Sequence, residues 1–343
     1  MVTFPRLSWH EITLKLRNPF RLSYGTSEER RAFWIRLNGD EGWGEGTIPP
    51  YYHIKDESMI ALWQLAAQKK EPFPEDASEV SAWVGKDGPA PARAAIDLAL
   101  LDRIGKRQAK PLYELLNMPK PLPMPTSFTI AIDTPKAMAK MALQVKDYGV
   151  IKVKLGSDAQ DVERIDAIRQ ARPDAALRVD ANAGWTLDEA VKRIAELEKY
   201  QLEMIEQPLA KDQIAGLGVV QKTTSIPIVA DESLQTMRDI EDLAAAGVAG
   251  INLKLMKIGG LTPALEMIRR AREHGLRIML GCMIETSIGV TAMMHLSGAA
   301  EWLDLDSPML VTNDPFSGIT YDEHAFVKLP DRVGIGVFRL QEM

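Results

Sequence analysis

From residue 126 onward, short apolar runs alternate with longer amphipathic stretches in a steady rhythm. Runs near 126–132, 151–154, 177–181, 203–206, 227–230, 250–254, 277–281 and 301–305 are almost wholly apolar. Strands buried on both faces of a parallel sheet read this way. Between them, 135–148, 159–171, 187–199, 212–222, 236–246, 262–274 and 287–299 carry helical spacing. Thr134-Pro135, Thr186 before Asp188-Glu189, and Thr262-Pro263 are start signals, and Gly149, Gly247 and Gly275 are stop signals. Eight strands with seven full helices predict a modified TIM barrel of the (β/α)7β type, its last helix lost or replaced.

The first third of the chain has a different pattern. Residues 7–16 and 30–37 alternate as strands, and Asn38-Gly39-Asp40-Glu41-Gly42 turns into a third strand near Trp43. An antiparallel meander follows from that order. Residues 18–29, with Pro19, Ser23, Gly25 and Ser27, show no periodicity and read as a loop, as do 47–55 with Pro49-Pro50-Tyr51-Tyr52-His53. Loops of this kind suit a lid over a substrate. Helices are expected over 56–69, 92–104 and about 112–116. The proline-rich run Pro119 to Pro125 is the clearest linker. The expected organisation is an N-terminal α+β domain over 1–123, a barrel over 124–314, and a segment over 315–343 that returns to the first domain.

Composition narrows the function. Hydrophobic content of 46% and charged content of 26% describe a soluble globular chain, and a net charge of −6 offers no basic face for nucleic acid. No apolar stretch approaches the length of a membrane span or signal sequence. Cys282 is the only cysteine, so no internal disulfide forms, and the expected location is cytoplasmic.

The strands carry the chemistry at their ends. Lys154, Asp180, Glu206, Asp231 and Lys254 close five successive runs, 23 to 26 residues apart, about one βα unit each. A single acid there is as readily a helix cap. Three in a row at the C-terminal ends of barrel strands converge on one mouth, where they would repel one another without a cation. An all-oxygen set with room for water favours Mg²⁺, and no His or Cys cluster offers a zinc alternative. Lys154 and Lys254 fall on the second and sixth strands, on opposite sides of the mouth. Lys152 points to the same side as Lys154, an adjacent positive charge of the kind that disfavours a protonated lysine. Lys257 lies beyond the strand and reads as a loop residue. Two bases on opposite faces of a carbon, with a divalent cation on the neighbouring carboxylate, suit removal and return of an α-proton.

As a set, Lys152-x-Lys154, Asp180-Ala-Asn182, Glu206-Gln207-Pro208, Asp231-Glu232-Ser233 and Lys254 resemble the enolase superfamily, muconate lactonizing enzyme subgroup. Ala95 to Leu100 and Pro111 to Leu116 extend the resemblance to the N-terminal part. It implies an α+β capping domain built by both termini over a (β/α)7β barrel, one Mg²⁺ per subunit on Asp180, Glu206 and Asp231, Lys154 and Lys254 as the acid/base pair, and a homo-oligomer.

Within the subgroup, the eighth strand discriminates. It ends Leu303-Asp304-Leu305-Asp306, and alternation puts both aspartates on one side with no basic neighbour expected. Such a pair suits a dipeptide's α-ammonium and is similar to the element that dipeptide epimerases use; Gly281-Cys282-Met283-Ile284-Glu285-Thr286-Ser287 also resembles that family. The expected activity is therefore two-base 1,1-proton transfer through a metal-stabilised enolate, inverting the C-terminal residue of an L,L-dipeptide. N-acylamino acid racemase, o-succinylbenzoate synthase and muconate cycloisomerase chemistries are the alternatives, with a non-enzymatic binding barrel further off. Epimerases for L-Ala-D/L-Glu tend to carry an arginine in the first loop; Tyr24 stands there here. Tyr24, Tyr51, Cys282 and Met283 are thus expected to shape specificity, and the acidic side chain is not assured.

Overall fold

Sequence neighbours pair at the N-terminus, as short connections favour. Strands β1 (Leu7–Leu22), β2 (Gly25–Leu37) and β3 (Gly42–Thr47) form an antiparallel sheet in that order. The computed structural model describes residues 7–23, 25–39, 41–48 and 52–340. In β3 the period of two sends Gly42, Gly44 and Gly46 to one face and Glu45 to the other. A helix over Ala90–Arg107 lies against the glycine face. A Cβ at Gly44 would sit 1.9 Å from the Ala95 carbonyl oxygen, and one at Gly42 2.3 Å from that of Ala99. Only glycine admits so close an approach. Glu45 reaches the barrel, where its carboxylate accepts from the Thr286 N–H at 2.8 Å and the Gly289 N–H at 3.1 Å.

The stretch 18–29, expected as a loop, is mostly strand. β1 runs to Leu22 and β2 begins at Gly25, with a register shift between Lys15 and Phe20. Pro19 falls within that irregularity, where its missing N–H costs no ladder bond. The hairpin tip rests on the barrel: the Ser23 hydroxyl donates to the Asn182 carbonyl at 2.8 Å, and the Ile132 N–H donates to the Arg21 carbonyl at 3.2 Å.

After β4 (Met124–Pro125) come β5 (Phe128–Ile130), β6 (Val150–Lys154), β7 (Ala176–Asp180), β8 (Leu202–Glu206), β9 (Ile228–Ala230), β10 (Gly250–Leu253), β11 (Arg277–Gly281) and β12 (Trp302–Asp304). β5 to β12 form one parallel sheet in chain order, and a parallel bridge from Thr126 to Leu303 closes it into a barrel. Seven crossover connections, each with a helix, join the strands, and among the described residues the short turn Ser307–Leu310 is the only helical segment after β12. This is the (β/α)7β architecture.

Two expected helix signals do not operate. The helix beginning at Pro135 ends at Gln144, well before Gly149, which has no left-handed φ. Thr262 is not a cap but the second residue of the helix Leu261–Glu273, and its N–H donates to Asp97 at 2.9 Å. Gly260, at φ 123°, leaves room for that carboxylate: a Cβ there would lie 2.4 Å from Asp97 Oδ1. The cap comes from the other end of the chain.

The tail folds back on the N-terminal sheet. β13 (Phe316–Ser317) pairs with the last strand, Phe338–Arg339, and the Phe316 ring lies 5.1 Å from Trp43 and 5.9 Å from Trp34. Residues 334–340 read as one strand in the sequence, yet only Phe338–Arg339 pair, because Gly334 and Gly336 turn at φ 65° and 89°. No helix among the described residues is long and apolar enough to cross a membrane.

Candidate active site

β6 to β10 are consecutive around the barrel, so their C-terminal ends form a continuous arc. Register pairing sets Lys154 beside Asp180, and Asp180 beside Glu206. Asp231 follows β9 and Lys254 follows β10. Asp180, Glu206 and Asp231 are buried, with one oxygen of each within 4.8 Å of the others. Lys154 and Lys254 stand at the two ends of the arc: Lys154 Nζ is 2.6 Å from Asp180 Oδ2, and Lys254 Nζ is 2.7 Å from Asp231 Oδ2.

Hydrogen bonds aim the carboxylates. The Asn182 N–H donates to Asp180 Oδ1 at 2.9 Å, and the Asn252 amide donates to Glu206 Oε1 at 2.7 Å. The Gln207 side-chain oxygen accepts from the N–H groups of Asp231 and Ser233 at 2.8 and 3.1 Å, tying two βα loops together. Burial alone would raise all three acids. Lys152, Lys154 and Lys254 hold Asp180 below the usual carboxylate range, and Lys254 and Lys257 do the same for Asp231. Glu206 is raised to about 7 by burial and the Asp180 charge. Glu232, beside Asp231, is raised to about 8 by burial and the charges of Asp231 and Asp180.

Two expectations about the lysines change. Lys152 is not an unbalanced charge beside Lys154. Its ammonium, 1% exposed, lies 2.7 Å from Asp304 Oδ2, 2.7 Å from Glu206 Oε2 and 3.0 Å from Asp180 Oδ2. Against burial, those acids raise it well above its ordinary value. Asp304 and Asp306 therefore do have a basic neighbour, contrary to the sequence reading. β12 is far from β6 in chain order, and the contact forms only across the closed barrel. Asp304 is matched by Lys152 and by the Ser127 hydroxyl at 2.6 Å. Asp306 accepts the Thr129 N–H at 2.8 Å, and burial with the Asp304 charge lifts it to about 6. Of the pair, Asp306 is the one with no ion pair among the described residues.

Lys257 is not a loop residue. It lies in the single helical turn Leu255–Ile258, buried, and donates to the carbonyls of Asp231 at 2.6 Å and Asn252 at 3.0 Å. It also pairs with the Asp231 carboxylate.

A pocket of about 730 Å³, open mouth included, lies over this arc. Lys152, Lys154, Asp231, Lys254, Asp304 and Asp306 line it, with Cys282 and Met283 from the loop after β11. The Cys282 thiol donates to the Asp304 carbonyl at 3.3 Å, and burial raises it well above its ordinary value, so it is a wall and not a nucleophile. Tyr24 and Tyr51 lie outside the described residues. Phe20, Leu22, Arg30 and Tyr52 also line the pocket. The alternation Phe20-x-Leu22 was the available signal for the first two.

Both parts of the chain match family models. "Mandelate racemase / muconate lactonizing enzyme, N-terminal domain" covers residues 8–117, and "Enolase C-terminal domain-like" covers 136–340. The chain belongs to the mandelate racemase / muconate lactonizing enzyme family of the enolase superfamily. An L-Ala-D/L-amino acid epimerase from Maribacter is 35% identical over 97% of this chain and 98% of its own. A hydrophobic dipeptide epimerase from Enterococcus faecalis is 34% identical over 94% and 96%. The dipeptide epimerase of Cytophaga hutchinsonii, solved with Mg and the dipeptide D-Ala-L-Val, superposes with a TM-score of 0.92 at 28% identity over 99% and 97%.

The residues here fit a divalent cation. The three carboxylates converge, all buried, with one oxygen of each within 4.8 Å of the others. Around the mouth, Asp180, Glu206, Asp231, Glu232, Asp304 and Asp306 face Lys152, Lys154, Lys254 and Lys257, all buried. Hard oxygen donors select Mg²⁺.

Proposed function

We propose that this protein is an isomerase, a Mg²⁺-dependent dipeptide epimerase that inverts the Cα of the C-terminal residue of an L,L-dipeptide. The observation that carries the reading is the placement of Lys154 and Lys254 at opposite ends of the carboxylate arc, with Asp306 across the pocket and not ion-paired. Family membership and similarity to epimerases over nearly the whole chain support it.

The substrate ammonium binds Asp306, whose carboxylate becomes ion-paired on contact, with Asp304 adjoining. The C-terminal carboxylate is directed toward Asp180, Glu206 and Asp231, placing its α-carbon between the two lysines. A divalent cation on those acids, when bound, supplies the charge that stabilises the substrate carboxylate as its α-carbon loses a proton; enolase-superfamily sites are a known instance of this solution. One lysine Nζ removes the α-proton from one face, and the other delivers a proton to the opposite face. Lys152 anchors three acids and keeps the arc from splaying. Asp304 and Asp306 draw a substrate ammonium into the pocket and would repel the second carboxylate of an N-succinyl amino acid.

We infer a capping domain over 1–123 that carries the hairpin roofing the pocket, a tail over 315–343 that returns to it, and a barrel over 124–314 that carries the chemistry. A lone cysteine suits the reducing cytoplasm, and the family resemblance points to a homo-oligomer. Incubation of a dipeptide library and a set of N-succinyl amino acids in D₂O with Mg²⁺ tests the substrate class. Dipeptides gain one mass unit. Exchange confined to the N-succinyl set would move the protein to the racemase branch.

A further inference from the structure

The active-site pocket continues, between the β1–β2 hairpin and β5, into a second chamber of about 1040 Å³, open mouth included. Phe20, Thr129 and Leu310 line both spaces. The chamber's wall is apolar and rich in methionine: Ile130, Ile132 and Met138 are buried, and Met141 and Met309 complete it. Its charged residues pair at the rim. Arg21 bonds Asp133 at 3.0 Å, and Arg17 Nε donates to the Met309 carbonyl at 2.9 Å.

The shared wall is also the wall of the ammonium site, because the Thr129 N–H bonds Asp306 Oδ2 at 2.8 Å. In a dipeptide, the first side chain leaves the same carbon that carries the ammonium. With the ammonium on Asp306, that side chain starts at the boundary between the two spaces, next to Thr129. We propose that the chamber receives the side chain of the N-terminal residue, and that preferred dipeptides carry a large, flexible apolar residue there (leucine, methionine or phenylalanine) ahead of alanine. The proposal rests on the dipeptide reading above. An alanine methyl leaves the chamber unfilled, whereas a longer side chain replaces water against the apolar wall. Methionine walls adapt to unbranched and branched guests alike.

The test is kcat/KM in D₂O with the C-terminal residue fixed at the best one from the library and the N-terminal residue varied. Leucine and methionine exceed alanine by about tenfold or more, chiefly through KM, and lysine and glutamate fall below it. Ala137→Leu and Met309→Trp each fill the chamber from partly exposed positions, and each brings the leucine-to-alanine ratio toward one. A wild-type ratio at or below one, or a ratio unchanged in both variants, overturns the assignment. Exchange that ignores the N-terminal residue overturns the chamber alone. Exchange with no dipeptide overturns the chamber and the dipeptide reading together.

Discussion

Replacing Asp306 by asparagine is expected to weaken catalysis and strengthen the fold. Asp306 is 4% exposed, and one of its oxygens holds the Thr129 N–H, a bond that an asparagine oxygen keeps. Burial and the neighbouring Asp304 lift its carboxyl from 3.8 to about 6. An acid raised in the folded state lowers stability as pH climbs from its unfolded value through its folded one. At neutral pH that cost is fully present, about 3 kcal/mol at 1.36 kcal/mol per pKa unit. Asp306→Asn removes it, raising Tm by about 4 °C for a chain of this length. Binding moves the other way. Loss of one partner of a buried charge pair costs about 2–5 kcal/mol, so kcat/KM for a dipeptide falls by about 30-fold or more, mainly through KM. The assays are calorimetry at pH 7 and deuterium exchange kinetics with a free and an N-acetylated dipeptide. Because the acetylated substrate has no ammonium, its rate is insensitive to the substitution. Unchanged kcat/KM on the free dipeptide would refute the placement of the ammonium on Asp306, and a lower Tm would refute the burial cost assigned to its carboxylate.

Other perturbations test separate parts of the site. Lys154→Ala and Lys254→Ala each reduce epimerisation by about 10²-fold or more, measured as loss of the diastereomer signal; near-normal turnover in either removes that lysine from the pair. Lys257→Met leaves the Asp231 and Asn252 carbonyls without their donor and removes one of the two lysines paired with the Asp231 carboxylate, at a cost of about 1–3 kcal/mol read by urea unfolding. An unchanged midpoint would show that Lys257 does not hold Asp231. Glu285 is raised to about 8 by burial and the nearby Glu45, so its contribution to stability is lost as pH rises from about 4.5 through 8. Glu285→Gln flattens that decline in a pH series of urea midpoints; parallel curves for variant and wild type would argue against it.

The barrel was legible because its strands are buried on both faces, and each expected strand overlaps an observed one. The carboxylate arc was legible for a related reason: parallel strands of one register bring residues at matching strand ends together, as Lys154, Asp180 and Glu206 show. What chain order hides is contact across the closed sheet. Lys152 meets Asp304 over a separation of 152 residues, and Asp97 caps a helix 165 residues away. Lys257 was missed because a four-residue turn has no periodicity to read. The hairpin over 18–29 was missed because Pro19 sits where the register slips, breaking the alternation that would have marked the strand.

The central claim is two-base inversion at one carbon, and the most direct measurement is the position and configuration of the deuterium that the wild-type enzyme introduces in D₂O. With Mg²⁺ and an L,L-dipeptide, mass spectrometry and NMR are expected to find one deuterium at the Cα of the C-terminal residue of the L,D product. Deuterium at the N-terminal Cα, or an L,D product that keeps the original proton, would contradict it.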